Sequence, residues 1–298
     1  MTDLGRILGD GFETWKQNLN LAVPFILEQI LIWVMLVIAI LVAFLTAFAS
    51  IIPYLENFGP EPSPEALFEL WTVVAPFIGI FLIGVLIISI LLMLVDAFIW
   101  AGAVGMAKLA IETGECRIGD MFDYGKKHFL AVFISNILVG IAFLLGFLAL
   151  VPGVVVMATS VVGVMLLVLG ALIMILYQIF VALSFYLARF AIVVDGVGAI
   201  EGMKRSYRVF KSNKLDMLLL GVILFAAVFV VEISYVIILM LASVIPVIGG
   251  ALQMILQIAF SLIVIPMLIA LMVVWLTEFY IDRSAPLHSP ETMITGDI

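Results

Sequence analysis

Charge is what this chain has least of. Asp, Glu, Lys and Arg make up 11% of its 298 residues, while 66% are hydrophobic. Soluble domains carry about a quarter charged residues and about half apolar ones. The mean hydropathy is +1.36. A soluble fold is excluded, because apolar runs this long and numerous leave no polar surface to cover them. The single cysteine, Cys116, rules out an intrachain disulfide. The two histidines, His128 and His288, are far apart, and no Cys/His cluster has metal-ligand spacing. Also missing are a P-loop, a GxSxG elbow, an HExxH helix and a paired-cysteine zinc pattern. Gly196-Val-Gly198 follows an apolar helix and not a strand, so it reads as a flexible joint. No cofactor, metal or nucleic-acid partner is expected. Met1–Asn20 lacks a basic start, an apolar middle and a small-residue cleavage site, so no cleavable signal peptide is expected.

What the chain does have is six apolar stretches near or above the ~20 residues that cross a bilayer core. They are Ala22–Ile52, Trp71–Trp100, Phe129–Val151, Gly163–Phe190, Met217–Ser243 and Ala251–Ile281. The run from Val154 to Val194 is too long for one simple span, and its first part is expected at or beyond the outer interface. All thirteen Lys and Arg fall on one side: Arg6, Lys16, Lys108, Arg117, Lys126, Lys127, Arg189, Lys204, Arg205, Arg208, Lys211, Lys214 and Arg283. Basic residues stay on the cytoplasmic side, so both termini are expected there, in the cell membrane. The outer connections are unequal. Ile51–Leu70 is an acidic loop with four prolines, whereas Val151-Pro152-Gly153 and Val244–Gly250 read as tight turns. Trp71, Trp100 and Trp275 sit near span ends, where indole favours the interface. Ser284–Ile298 reads as a short, polar and mobile tail.

Three inner segments are variants of one pattern: LGRILGDGFETWKQNL from Leu4, ECRIGDMFDYGKKHF from Glu115 and AIEGMKRSYRVFKSNK from Ala199. Phe12 aligns with Phe122 and Tyr207, Lys16 with Lys126 and Lys211, and Asn18 with His128 and Asn213. Each such elbow leads into two spans. An even number of spans per unit makes the repeats parallel. The expected fold is therefore an all-α integral membrane protein. Its six transmembrane helices form three parallel helical-hairpin repeats, each preceded by a cytoplasmic interfacial amphipathic helix. The repeats cover about 1–105, 106–195 and 196–283 of a single membrane domain, followed by the tail at 284–298. A closed pseudo-threefold bundle and a tandem array both fit this pattern.

In the first elbow Leu4, Ile7, Leu8, Gly11, Phe12, Trp15 and Leu19 share one helical face, as an in-plane helix requires. In the second the apolar face is Ile118, Met121, Phe122, Gly125 and Phe129; in the third it is Met203, Tyr207 and Phe210. Asp10 and Glu13 align with Asp120 and Asp123, but with Arg205 and Arg208 in the third elbow. Two explanations remain open. Arg205 and Arg208 pair with carboxylates of the other elbows, or Lys204, Arg205, Arg208, Lys211 and Lys214 sit on anionic inner-leaflet lipid, at about 1 kcal/mol per basic residue.

The third elbow, AIVVDGVGAIEGMKRSYRVFKSNKLDMLLLG, with its weaker copies, resembles the membrane domain of glycerophosphoryl diester phosphodiesterase membrane-domain proteins and related uncharacterised prokaryotic families. In those enzymes the activity belongs to a separate soluble domain. The resemblance thus implies a membrane module and brings no catalytic residues with it.

Polar residues inside spans are the remaining candidates. Glu232, mid-way along the fifth span, costs at least about 2.5 kcal/mol to insert and is a functional candidate by default. The alternative is interhelical glue with Tyr235, Gln178, Gln253 or Gln257. Glu28 is a second intramembrane carboxylate. Asp96, Glu278 and Asp282 lie near span ends and read as solvated, and Asn136 as a hydrogen-bonding contact. Gly140, Gly146, Gly163 and Gly170 read as packing positions. The leading expectation is a non-enzymatic multi-pass module that binds lipid or a protein partner and organises the local bilayer, with a homo-oligomer also open. Next comes a channel or transporter using Glu232 and Glu28. More distant is a lipid-headgroup enzyme using Asp10, Glu13, Asp120 and Asp123.

Overall fold

The computed structural model describes residues 4–55, 63–245 and 248–285. Residues 56–62 of the expected acidic loop, 246–247 of the second proline turn and 286–298 of the expected tail lie outside the described residues. All regular structure among the described residues is helical. The helices are α1 (Leu4–Gln17), α2 (Val23–Leu55), α3 (Pro64–Thr113), α4 (Ile118–Leu145), α5 (Val151–Met157), α6 (Val162–Phe185), α7 (Ala188–Asp195), α8 (Ala199–Ser212), α9 (Lys214–Ser243), α10 (Gly249–Ala259) and α11 (Ile265–Ser284). Among the described residues six stretches are long and apolar enough to cross a membrane: Leu19–Val42, Ile78–Thr113, Ile118–Met157, Val162–Asp195, Lys214–Ser243 and Gly249–Ser284. The chain is a multi-pass membrane protein.

Contacts divide it into two units, Met1–Ile26 with Ala97–Ile298, and Leu27–Asp96. The second consists of long apolar stretches of α2 and α3 whose described large side chains, from Ile30 to Leu91, are mostly exposed, as surfaces facing hydrocarbon are. The first unit holds the core, and that core sits at the basic end of the helices, away from their midpoints. It is centred on the last turns of α3, where Ala97, Ala101, Ala103, Val104, Met106 and Ala107 are fully buried, together with Phe190 to Val193 of α7 and Phe279 and Tyr280 of α11.

Small residues make this core possible. A Cβ at Gly102 would lie 2.5 Å from the Met121 carbonyl oxygen, and one at Gly105 would strike the Tyr124 ring, so α3 and α4 touch backbone to side chain. Phe98 closes over Gly125 of α4 in the same way, 2.8 Å from where a Cβ would stand. The second span was expected to end at Trp100. The helix instead runs on to Thr113, and residues Ala101 to Ala107 of this extension are buried against protein.

Two further expectations change. Val151-Pro152-Gly153 is no turn: it opens α5, where proline near a helix start loses no hydrogen bond. The reversal comes at residues 158–161, and α6 then folds back along α5. Gly163 meets the Met157 backbone, Gly170 the Ala149 carbonyl, and Gly153 the Leu167 backbone at 2.5 Å. Of the expected packing glycines, Gly146 abuts Tyr177, whereas Gly140 faces open space. The second elbow is also continuous with its span, as the unbroken α4. The first and third elbows do break, both at asparagine. Asn18 has φ −127° and ψ 59°, Asn213 φ −131° and ψ 42°. Each Nδ2 donates to the carbonyl four residues back, Thr14 at 3.0 Å and Val209 at 3.1 Å. His128, aligned with them, is buried within α4 and stacks on Tyr124.

In the last span α10 and α11 are joined by a π turn at Phe260–Val264, just before Pro266. Proline has no N–H to give, and the wider turn absorbs the missing bond. Tyr235 of α9 stacks flat on Phe260 at 3.8 Å.

Candidate functional site

The basic end is where charge, burial and helix termini converge. Asn18, 6% exposed, holds the first elbow to the α3–α4 connection: its Nδ2 also donates to the Gly114 carbonyl at 3.0 Å, and its Oδ1 accepts from the Cys116 N–H at 3.2 Å. Asn20 donates to the Cys116 carbonyl. Burial pushes the Cys116 thiol up to about 11, so it stays neutral. On the other side, α1 lies along α11. The Trp275 indole N–H donates to the Leu8 carbonyl at 2.9 Å, Gly11 lets Trp275 and Glu278 approach, and Arg6 pairs with Asp282 at 3.3 Å. Arg283 reaches Asp216 at the start of α9 at 2.8 Å.

A half-buried carboxylate, Asp195, stands at the end of α7. Its Oδ2 accepts from Arg205 Nη1 and from the Tyr280 hydroxyl, each at 2.5 Å. Arg205 also meets Glu201 at 3.5 Å, and Arg208 meets Glu201 at 2.7 Å. Arg208 is thus held within its own elbow and not by Glu13, which pairs with Lys16 at 3.7 Å. Asp120 accepts from the Arg117 N–H at 2.7 Å and caps the start of α4. Asp10 and Asp123 are exposed.

Most of the cations divide into two groups, apart from Lys16 and Lys108, which pair with Glu13 and Glu112. Arg6, Arg205, Arg208 and Arg283 are in ion pairs. Lys126, Lys127, Lys204, Lys211 and Lys214 are exposed and have no ion-pair partner among the described residues. Forked guanidinium groups suit fixed carboxylates, whereas an ammonium is a mobile, strongly hydrated point charge. Around these lysines the elbows expose apolar side chains: Phe12, Leu19, Ile118, Phe122, Ile200 and Tyr207.

The buried faces of the elbows differ from expectation. Ile7 and Gly11 of α1 turn to protein, and Phe12 turns outward. In α8 the buried face is Ala199, Gly202, Ser206, Val209 and Phe210, with Tyr207 exposed. Gly202 receives Ile192, and the Ser206 hydroxyl donates to the Ser184 carbonyl at 2.8 Å. Two of the tryptophans near span ends are held by protein contacts. Trp100 lies under the Arg189 guanidinium at 4.1 Å, and Trp275 is bonded to α1.

Glu232 lies on the exposed side of α9 and has no hydrogen-bond or ion-pair partner among the described residues. The expected glue partners are engaged elsewhere or apart: Gln253 donates to the Leu239 carbonyl at 3.1 Å, Tyr235 stacks on Phe260, Gln178 is half-buried beside Gly146, and Gln257 is exposed. Glu28 is half-buried in the Leu27–Asp96 unit. Among the described residues no three His, Cys, Asp or Glu side chains gather as a metal site would require.

Sequence reasoning did not single out Asp195, Tyr280, Asp216 or Arg283. The signal for Asp195 was available: an acidic residue before a Gly-Val-Gly joint, ten residues from an arginine in the next helix.

The family model described as "Domain of unknown function (DUF7847)" matches residues 16–282, so the chain belongs to that family. No curated protein and no solved structure matches it significantly.

Proposed function

We propose that this member of the DUF7847 family is a non-enzymatic membrane module whose basic end gathers anionic lipid headgroups and so organises the leaflet around it. The observation that carries this is the sorting of cations. Arg6, Arg205, Arg208 and Arg283 are in ion pairs, while five lysines stand exposed on or beside the elbows with no ion-pair partner among the described residues. Exposed Phe12, Phe122, Ile200 and Tyr207 flank them, the composition of a surface half in headgroups and half in acyl chains. Each such lysine adds about 1 kcal/mol of attraction to an anionic surface. On this proposal the basic end is cytoplasmic and the elbows lie in the inner interface, in keeping with the segregation of all thirteen basic residues.

The matched geometry of Asn18 and Asn213 supports a repeat relating the first and third elbows. The second elbow then belongs to the same series, with its break smoothed into α4. The resemblance to the glycerophosphoryl diester phosphodiesterase membrane domain fits the same role, a membrane module that works beside an activity carried elsewhere.

The test is lipid composition. The protein is extracted with its surrounding bilayer from a membrane of known mixture. Wild type is expected to be enriched in anionic lipid over the bulk. A variant with Lys126, Lys127, Lys204 and Lys211 changed to Gln is expected to match the bulk. Equal composition in both rejects the proposal.

A passage for ions is the alternative, favoured by one observation: Glu232 presents a carboxylate on the exposed side of α9 with no partner among the described residues. Proton or cation flux through proteoliposomes that Glu232→Gln abolishes would establish it.

A further inference from the structure

Helices α6, α9 and α11 enclose a groove of about 330 Å³ that no polar candidate from the sequence touches. It is lined by Leu183, Tyr186, Met217, Gly221, Val228 and Leu276, among other apolar residues. Its volume falls in the range of ligand sites, which begins near 300 Å³. Along α9 it runs from Met217 to Val228, about 16 Å at 1.5 Å per residue. That is about half the ~30 Å hydrocarbon core, the depth of one leaflet. Gly221 keeps it open: the nearest atom to a Cβ placed there is Leu183 Cδ2, at 4.0 Å.

The end of the groove at Met217 is one helical turn from Lys214, which is exposed and has no ion-pair partner among the described residues. Lys211 lies just before it, in the last turn of α8. The nearest carboxylate in sequence, Asp216, is neutralised by Arg283 at 2.8 Å and does not oppose an anion there. An apolar slot one leaflet deep that opens beside free ammonium groups matches one kind of molecule.

We infer that this groove holds an acyl chain of one anionic phospholipid, whose phosphate sits at Lys214 and Lys211. The inference rests on the proposal that the basic end gathers anionic headgroups, and it adds a single retained site to that general enrichment. Gly221 is the residue that admits the chain, and Lys214 selects the headgroup. Tyr186 and Met217, at the same end of the groove, flank the first carbons of the chain.

The experiment is native mass spectrometry of the full chain, released from detergent after incubation with phosphatidylglycerol or phosphatidylcholine. Wild type is expected to retain one phosphatidylglycerol and at least tenfold less phosphatidylcholine. Gly221→Phe fills the slot and is expected to lose the retained lipid, as is Ala182→Leu on the facing wall, a smaller change in case the first fails to fold. Leu219→Phe, on the exposed side of α9, should retain it. Lys214→Gln is expected to keep a bound lipid but to lose the tenfold preference. Retention unchanged in Gly221→Phe and Ala182→Leu overturns the inference, and so does equal retention of both lipids by wild type. The broader proposal is separable, because Gly221→Phe leaves the exposed lysines in place and should leave bulk enrichment in extracted bilayer unchanged. Loss of enrichment in a variant with only Lys126, Lys127 and Lys204 changed to Gln, with one tight lipid still retained, supports the groove, and loss of the tight lipid alone in Gly221→Phe supports both.

Discussion

Placing a methyl group on Gly102 tests whether the core lies where α3 crosses α4. The Cβ would stand 2.5 Å from the Met121 carbonyl oxygen and 2.6 Å from Met121 Cγ, whereas ordinary contact begins near 3.4 Å. The side chain can swing away, but the carbonyl belongs to the α4 backbone. The two helices must therefore part by about 0.9 Å across a segment whose neighbours Ala101 and Ala103 are at most 1% exposed. Overpacking of this kind costs about 1–3 kcal/mol, and the backbone obstacle puts Gly102→Ala at the upper end. Alanine's better helix propensity returns about 1 kcal/mol, leaving a net loss of about 2 kcal/mol. Gly140, in the same helix pair but with nothing within 4 Å of its would-be Cβ, is the control. Gly140→Ala should be neutral or stabilise by up to about 1 kcal/mol. Unfolding in one detergent, followed by tryptophan fluorescence, gives both values. If Gly102→Ala is as stable as Gly140→Ala, α3 and α4 do not meet as described.

Three other perturbations probe the basic end by the same unfolding assay or by labelling. Asn18→Ala removes bonds to Thr14, Gly114 and Cys116 from a buried site and should cost about 3 kcal/mol, while Asn213→Ala loses its bond to Val209 and should cost about 1 kcal/mol. Asp195→Ala strands Arg205, only 25% exposed, and should cost about 3 kcal/mol; Arg208→Ala, at 53% exposed, should cost under about 1 kcal/mol. Cys116 should resist maleimide at neutral pH and react as pH nears 11. Its folded-state value is raised above the ordinary 9.0, so folding favours the neutral thiol. That part of the stability is full below pH 9 and is lost as pH rises through 11.

The spans were legible because hydrocarbon imposes length and apolarity on them, whatever packs nearby. The core was not. Residues Ala101 to Ala110 fall beyond the second span as read from the sequence, which ends at Trp100, since Ala and Gly carry little hydropathy signal. In the structure Lys108 extends to the Val194 carbonyl at 2.9 Å, and the small residues are what let α4 approach. The buried face of α8 escaped notice for the same reason: Gly202 and Ser206 are not apolar, yet their size sets the contact with α7 and α6. Alignment of the elbows did expose Asn18 and Asn213, and these proved to be the two broken junctions. It misdirected the search for the partners of Arg205 and Arg208. Comparing elbows with one another hid Asp195, which lies just before the third elbow, and Glu201 within it, which holds Arg208.

The central claim is that free lysines at the basic end hold anionic headgroups. Thermal unfolding in lipid nanodiscs tests it most directly, with phosphatidylglycerol against phosphatidylcholine discs at low and at high salt. The unfolding midpoint should be higher in the anionic disc, the difference should shrink at about 1 M salt, where the Debye length falls to about 3 Å, and it should vanish when Lys126, Lys127, Lys204 and Lys211 are changed to Gln. The same midpoint in both lipids at low salt would contradict it.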